Sequence, residues 1–426
     1  MYFIYNLILI LLGIILSPLI ILFFILKPKL RAGFWQKIDF YSDIFKNKPV
    51  IWFHAVSVGE VNAIEALVKR VKSEFSEYDL VLTTVTKTGQ QVAQNKLGKI
   101  VDNIVYFPYD FSFSVKSAIK FINPKIVIIA ETEIWPNFSH ELNKKKIPLI
   151  LVNGRISPGS YKQYKKFRFF FKNILENYSL ILMQTEEDQK RIIDIGANSD
   201  KVEVMGNLKF DFANILDENE VNKLKNSLKL DDKRLLIAGS THKNEDEIIL
   251  SVFKRLKQEF SDLKLIIAPR HPERNSQVLK LISMTGFKFG LKSKNSNFEE
   301  NDIILLDTMG ELGKLYSIAY LAFIGGSFSN TGGHNPLEAA IYGVPVLSGP
   351  TVFNFKDIYY YMTNDNAANI VNNEQELYFI LHDLLTDQDK YELMNLACKN
   401  IFKTNKGALD FAINKLSKFI LSSREL

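Results

Sequence analysis

Short apolar runs alternate with amphipathic stretches along almost the whole chain, and this alternation restricts the fold more than any other feature. In the first half the runs fall at 50–53, 80–84, 104–107, 125–130, 149–152, 180–183 and 202–205. A second series begins at Leu235 with LLIAGSTH, LKLIIAPRHPER, DIILLDTMGELGKL, LAFIGGSF, GVPVLSGP and NIVNN. Runs this apolar, spaced by helical stretches, read as strands buried on both faces, and therefore as parallel sheets covered by helices. Each series has enough strands for one doubly wound, Rossmann-like domain. A chain of 426 residues also exceeds one ordinary core and predicts two domains.

The periodicity breaks after Met205 in a polar stretch, which sets a linker at 213–230 between domains at 34–212 and 231–405. A last helix, 406–426, is expected to pack back on the first domain. Residues 1–26 carry no charged side chain, and a helix of that length crosses a hydrocarbon core of about 30 Å. Lys27, Lys29, Arg31 and Lys37 follow at once; this positive flank predicts a single-pass anchor with Met1 outside and the domains in the cytoplasm. A buried or re-entrant helix is the alternative. The segment YKQYKKFRFFFK at 161–172 suits an anionic membrane surface, although its aromatic residues equally suit a core. The formal net charge of +6 comes without any nucleic-acid-binding motif. A single cysteine, Cys398, excludes an internal disulfide and favours the cytosolic side.

In doubly wound sheets the ligand crevice lies beyond the C-terminal strand ends, and polar residues collect there. HAVSVGEV places Glu60 in a first helical turn, where it complements the dipole or serves as a general base for an acceptor hydroxyl. ETEIWPNF carries Glu131 and Glu133, which share a face if the segment is extended and need a donor or ligand to offset desolvation. Asn153, Gly154 and Arg155 end the fifth run, and Lys209 stands before the boundary as a cation for an anionic leaving group or as a solvated lysine. The hydroxyls of Thr83, Thr84, Thr86 and Thr88 suit sugar binding or helix capping.

In the second half, FIGGSFSNTGGHNPLEAAIYGVPVLSGP reads as strand, glycine loop, helix start and strand. Glycines allow close backbone approach, and helix N–H groups favour a phosphate. Asn335, Pro336 and Glu338 fit a capping box, or Glu338 holds two ribose hydroxyls. Arg270 offers a fork for phosphate, and Gly310 with Glu311 opens another helix. No DxD triplet lies near the glycine loop; Asp387 and Asp389 have that spacing among late helices, where a solvated turn is expected. Two Rossmann-like domains with an interdomain cleft, a nucleotide loop in one and a carboxylate base in the other, describe an α/β GT-B glycosyltransferase that needs no metal and no cofactor.

HAVSVGE, ETEIWPN, NGRIS, GNLKFD, PRHPER, DTMGEL and GGHNPLEAA, in that order after an apolar N-terminus, resemble the 3-deoxy-D-manno-octulosonic acid (Kdo) transferase family of lipopolysaccharide synthesis. The resemblance implies an inverting enzyme of the bacterial inner membrane that moves Kdo from CMP-Kdo to a lipid A precursor, lipid IVA. It implies Glu60 as proton acceptor and Glu131 and Lys209 as transition-state stabilisers. It also implies CMP contacts from Pro269 and Arg270, from Met309, Gly310 and Glu311, and from Asn335, Pro336, Leu337 and Glu338. A GT-B-type nucleotide-sugar epimerase is the main alternative, and a non-catalytic nucleotide-sugar binder the other.

Overall fold

The computed structural model describes residues 2–26, 33–38, 48–211, 215–405 and 407–422. The chain forms two compact units, 1–212 with 405–426, and 213–404. Lys27, Lys29 and Arg31 of the expected positive flank, and 212–214 at the expected boundary, lie outside the described residues.

The first unit holds a parallel sheet of seven strands: β1 Val50–His54, β2 Asp79–Thr84, β3 Asn103–Tyr106, β4 Pro124–Ala130, β5 Leu149–Gly154, β6 Leu180–Met183 and β7 Val202–Val204. Their order, β3-β2-β1-β4-β5-β6-β7, reverses direction at the β1/β4 pair, the switch point where doubly wound sheets leave a crevice. Alternate residues of β1 feed opposite cores: Ile51 and Phe53 pack with Ile64, Leu67 and Val68 of the helix Val58–Glu74, and Trp52 packs with Phe107 and Phe138. The last helix, Ala408–Ser422, buries Ala412, Ile413, Leu416 and Ile420 in the first of these cores, and the Ile420 carbonyl accepts from the Tyr78 hydroxyl at 3.0 Å.

The second unit repeats the plan with β8 Arg234–Thr241, β9 Leu263–Pro269, β10 Phe289–Leu291, β11 Ile303–Leu305, β12 Leu321–Ile324, β13 Val346–Ser348 and β14 Ala368–Ile370, ordered β10-β11-β9-β8-β12-β13-β14 and all parallel. Strand β10 is absent from the sequence-based series. It is a short edge strand with no fully buried residue, so its hydrophobic signal is weak. The stretch assigned as a linker also contains a helix, Glu218–Leu228, opened by a capping box between Asp217 and Glu220 and anchored by buried Leu228. Its apolar positions are few, which hid the helical period.

The N-terminal helix, Tyr2–Leu26, is long and apolar enough to cross a membrane, and none of its Tyr2–Leu19 window is buried. Its first turns, however, are fastened to the first unit. Tyr5 donates to Asp110 at 3.1 Å, and Asn6 and Asn137 exchange two amide hydrogen bonds at 2.9 and 2.8 Å. These contacts hold the Tyr2 end of the helix against the first unit. Lys37, expected as part of a charged flank, is instead buried and donates to the Val85 carbonyl at 2.9 Å.

The segment 161–172 forms two helices, Pro158–Lys166 and Arg168–Leu175, broken at Phe167. Phe170 and Phe171 pack against the core while Phe167 and Phe169 are exposed, so the core reading holds for part of the segment only.

Candidate active site

Glu60 lies at the C-terminal edge of the first sheet, at the third position of the helix that follows β1. It is 8% exposed. Its two oxygens accept from the Val56 N–H at 2.6 Å and the Ser57 hydroxyl at 2.8 Å. Burial, reinforced by the Glu131 and Glu133 carboxylates, outweighs these bonds and pushes its pKa up to about 7. The loop therefore holds the carboxyl group in place, and each oxygen keeps a lone pair for another partner.

Glu131 follows β4 directly and has φ of 56°, a left-handed conformation that costs a non-glycine residue roughly 1–2 kcal/mol. This turn, closed by the Glu133 N–H on the Glu131 carbonyl at 3.2 Å, means that the two glutamates do not line one extended face as their spacing predicts. Glu131 pairs with Lys209 at 3.0 Å, both partly buried. Glu133 forms no ion pair with any described residue, and burial together with the Glu131 charge pushes it up to about 7.

Lys209 is held by a chain of amides. Its N–H donates to Asn207 at 3.0 Å, Asn207 donates to Gln184 at 3.0 Å, and Gln184 donates to the Asn153 carbonyl at 3.0 Å. Asn153, also left-handed with φ of 57°, accepts from the Leu208 N–H at 3.0 Å. NGRIS and GNLKFD thus act together to aim Lys209 at Glu131. Two of the threonines have structural partners: Thr83 in β2 accepts from the Trp52 indole at 2.8 Å, and Thr86 caps the helix Lys87–Leu97 through Gly89 N–H at 3.0 Å. His54 is likewise structural, buried and stacked on Phe107 at 3.8 Å.

In the second unit the glycine loop differs from its sequence reading. The N–H groups of Gly326, Ser327 and Phe328 donate to buried Glu245 at 2.7, 2.8 and 2.8 Å, and that of His242 at 2.8 Å. An internal carboxylate therefore occupies the anion nest formed by the N–H groups that follow the glycine pair. Gly325 is required for a different reason: a Cβ there would lie 2.5 Å from the Ser240 carbonyl oxygen, so glycine lets β12 run against the end of β8. Gly326, at φ of 71°, turns the loop back onto Glu245. Neither glycine needs a ligand, and Glu245 was missed because it sits in an acidic run, Glu245–Asp246–Glu247, that reads as an ordinary helix start.

The Asn335 side-chain oxygen accepts from the Leu337 N–H at 3.1 Å, and the helix that follows, Leu337–Ala340, has only one turn. The Glu338 carboxylate lies beside Gly313 and Tyr316, so Asn335–Glu338 and the segment after Gly310 converge. Met309 is 76% exposed, and Glu311 accepts from the Thr308 hydroxyl. Pro269 ends β9. Arg270 is exposed and forms no ion pair with any described residue, whereas Arg274 of the same motif is committed to buried Asp246. Near Arg270, His242 and His334 share a hydrogen bond at 2.9 Å between Nε2 atoms, with His271 at 5.4 Å from His242 ring to ring. Burial lowers His334 to about 4 and shifts His242 in the same direction, so both imidazoles are neutral near pH 7. Asp387 accepts from Lys390 N–H at 3.1 Å in an exposed helix-end turn, as expected.

Two doubly wound units, one with clustered carboxylates at its strand ends and one with the glycine loop, are the GT-B plan, and the chain is a glycosyltransferase by its relatives. The description 3-Deoxy-D-manno-octulosonic-acid transferase (kdotransferase) matches residues 31–212. The 3-deoxy-D-manno-octulosonic acid transferase of Haemophilus influenzae is 34% identical over 416 residues, 96% of this chain and 97% of that one. A bifunctional glycosyltransferase/methyltransferase of Fusobacterium nucleatum is 38% identical over 338 residues, 78% of this chain but only 52% of its own length. In fold, the UDP-GlcNAc 2-epimerase of Neisseria meningitidis is similar with a TM-score of 0.54 at 13% identity, covering 87% of this chain and 100% of that one. This protein belongs to the 3-deoxy-D-manno-octulosonic acid transferase family.

Proposed function

We propose that this protein transfers Kdo from CMP-Kdo to a hydroxyl of a lipid A precursor, lipid IVA, by one inverting, metal-independent displacement in lipopolysaccharide synthesis. The observation that carries the reading is the group Glu60, Glu131, Glu133 and Lys209 at the edge of the first sheet. Glu60, poised near 7, takes the acceptor proton as attack proceeds, because a base with a pKa close to the working pH transfers protons most effectively. The Glu131 carboxylate stabilises positive charge developing on the sugar, and Lys209 stabilises negative charge on the departing phosphate. In the second unit, Arg270 with Pro269, the Met309–Glu311 loop and Asn335–Glu338 hold CMP. Attachment to the bacterial inner membrane through the N-terminal helix, with both units on the cytoplasmic side, brings the enzyme to a lipid acceptor. The assignment of acceptor binding to 34–212 and nucleotide binding to 231–405 belongs to the same reading.

A product mass spectrum from CMP-Kdo and lipid IVA tests the activity directly and counts the sugars added. Incubation with donor alone separates the epimerase alternative, which converts the nucleotide sugar without acceptor.

Two further outcomes follow from the geometry. Lys209→Ala is expected to slow transfer by roughly 100-fold, the worth of one charge-stabilising donor, while weakening CMP binding much less; the reverse ordering in titration calorimetry and initial rates would remove Lys209 from the leaving-group step. The rate should rise with pH along a limb near 7 as Glu60 loses its proton. Glu133→Gln removes a like charge that raises Glu60, so the limb should move to lower pH. A limb that stays in place would show that Glu133 is not part of the group.

A further inference from the structure

We propose that the N-terminal helix anchors this protein to a bilayer from one side only, so that its Tyr2 end and the first unit share one membrane face. The inference rests on the membrane attachment proposed above and changes its topology.

The start of the helix is fastened by specific polar contacts. Besides the Tyr5–Asp110 bond and the reciprocal Asn6–Asn137 amide pair, Tyr2 stacks on His140 at 3.7 Å, and its hydroxyl accepts from Asn177 at 2.9 Å. Asp110 is buried and also accepts from the Asn137 and Phe138 N–H groups at 3.0 and 2.9 Å, so the docking point is a built polar site on the body of the unit. The chain after the helix returns to the same corner. Phe34 packs edge-on against Tyr109 at 6.3 Å, the Tyr109 N–H donates to the Lys37 carbonyl at 2.8 Å, and Gln36 accepts from Tyr106 N–H at 2.9 Å. The start of the helix and the chain from Phe34 to Lys37 thus meet around Tyr109 and Asp110.

Between those ties the helix leaves the protein. Leu7, Ile8, Ile10, Leu11, Leu12, Ile14, Ile15, Leu16 and Leu19 are all exposed, a broad apolar face that suits hydrocarbon contact, while Leu9 and Gly13 continue the half-buried stripe of Tyr2, Tyr5 and Asn6. At 1.5 Å per residue, Asn6 to Leu26 spans about 30 Å. Leu26 and Gly33 are separated by a chain reach of at most about 25 Å. An upright helix would carry Leu26 about 30 Å from the level of the Asn6 tie, beyond the return reach of about 25 Å, so an inclined helix satisfies both ties.

The surroundings of the docking point match an interface. Trp35 beside Phe34, Phe113 stacked on Phe111 at 5.6 Å, and Phe169 beside Phe170, which touches Tyr5 at 5.9 Å, all expose their rings. Exposed aromatic rings favour the headgroup level. Lys116, Lys144 and Lys172 on the adjoining helices are more than half exposed and suit anionic headgroups.

The test uses the full chain with one protease site ahead of Met1 and another after Leu426, in sealed membrane vesicles of each orientation. Cleavage of both sites from the same face is the expected result. Cleavage from opposite faces would overturn one-sided anchoring and leave membrane attachment standing. If the protein does not float with vesicles of phosphatidylethanolamine and phosphatidylglycerol, membrane attachment fails and the topology with it. Phe113→Glu combined with Phe169→Glu should reduce flotation at least several-fold while soluble fold and CMP binding persist; undiminished flotation would refute the interfacial role of these rings.

Discussion

Transfer by a Glu60→Gln enzyme is expected to fall by roughly 100-fold or more, the usual contribution of a positioned general base, with CMP affinity close to that of the parent. The substitution separates two roles that the structure combines. Glu60 accepts hydrogen bonds from Val56 and Ser57, so it braces its own helix start, and glutamine keeps an amide oxygen for one of them. A merely structural Glu60 would lose stability on substitution and little rate. The pH dependence sharpens the distinction. Burial raises the carboxyl above its ordinary value of 4.5 to about 7, so its contribution to stability is full below about 4.5 and is lost as pH rises through 7. That loss is on the order of 3 kcal/mol at most, and glutamine, which never ionises, escapes it. At pH 8 the variant should therefore unfold no earlier than the parent while turning over far more slowly. Retained turnover, or a large drop in denaturation midpoint, would each take the base away from Glu60.

Glu245→Ala is expected to produce the largest stability effect in the second unit. Four N–H groups, of His242, Gly326, Ser327 and Phe328, point at this one buried carboxylate. Each donor left without an acceptor costs on the order of 1 kcal/mol or more, so a loss of roughly 4 kcal/mol is expected, with release of the loop from β8. CMP binding should weaken in parallel, because the loop leads directly into Asn335–Glu338. Glu245→Gln should fall between the two, since an amide retains one acceptor but brings an N–H pair toward other donors. Urea denaturation followed by tryptophan-independent circular dichroism, beside CMP titration, measures both effects. A change below about 0.5 kcal/mol, the range of ordinary surface substitutions, would mean that other contacts hold the loop.

The two loops expose different limits of reading a sequence. Glycine pairs after a strand suit a ligand or a tightly packed turn, and the pattern Gly325–Gly326 is the same in both cases. The answer depended on Glu245, 80 residues earlier in the chain, whose acidic neighbours disguise it. Glu131 and Glu133 were recognisable as costly carboxylates at a strand end, but their alternating spacing implies one face only if the backbone stays extended. The left-handed turn at Glu131 aims that side chain at Lys209 and leaves Glu133 half-buried without an ion pair to any described residue.

By itself the sequence determined the parallel-sheet plan of both units, because strands buried on two faces must be apolar without interruption and must be separated by crossover helices. It also determined which polar residues lie at strand ends, since their order along the chain follows from the same alternation. Tertiary structure alone decided which of those residues meet: Lys209 with Glu131, Glu245 with the glycine loop, and Asn6 with Asn137. These pairings join positions distant in the chain, where local periodicity carries no information and only the folded backbone brings donor to acceptor.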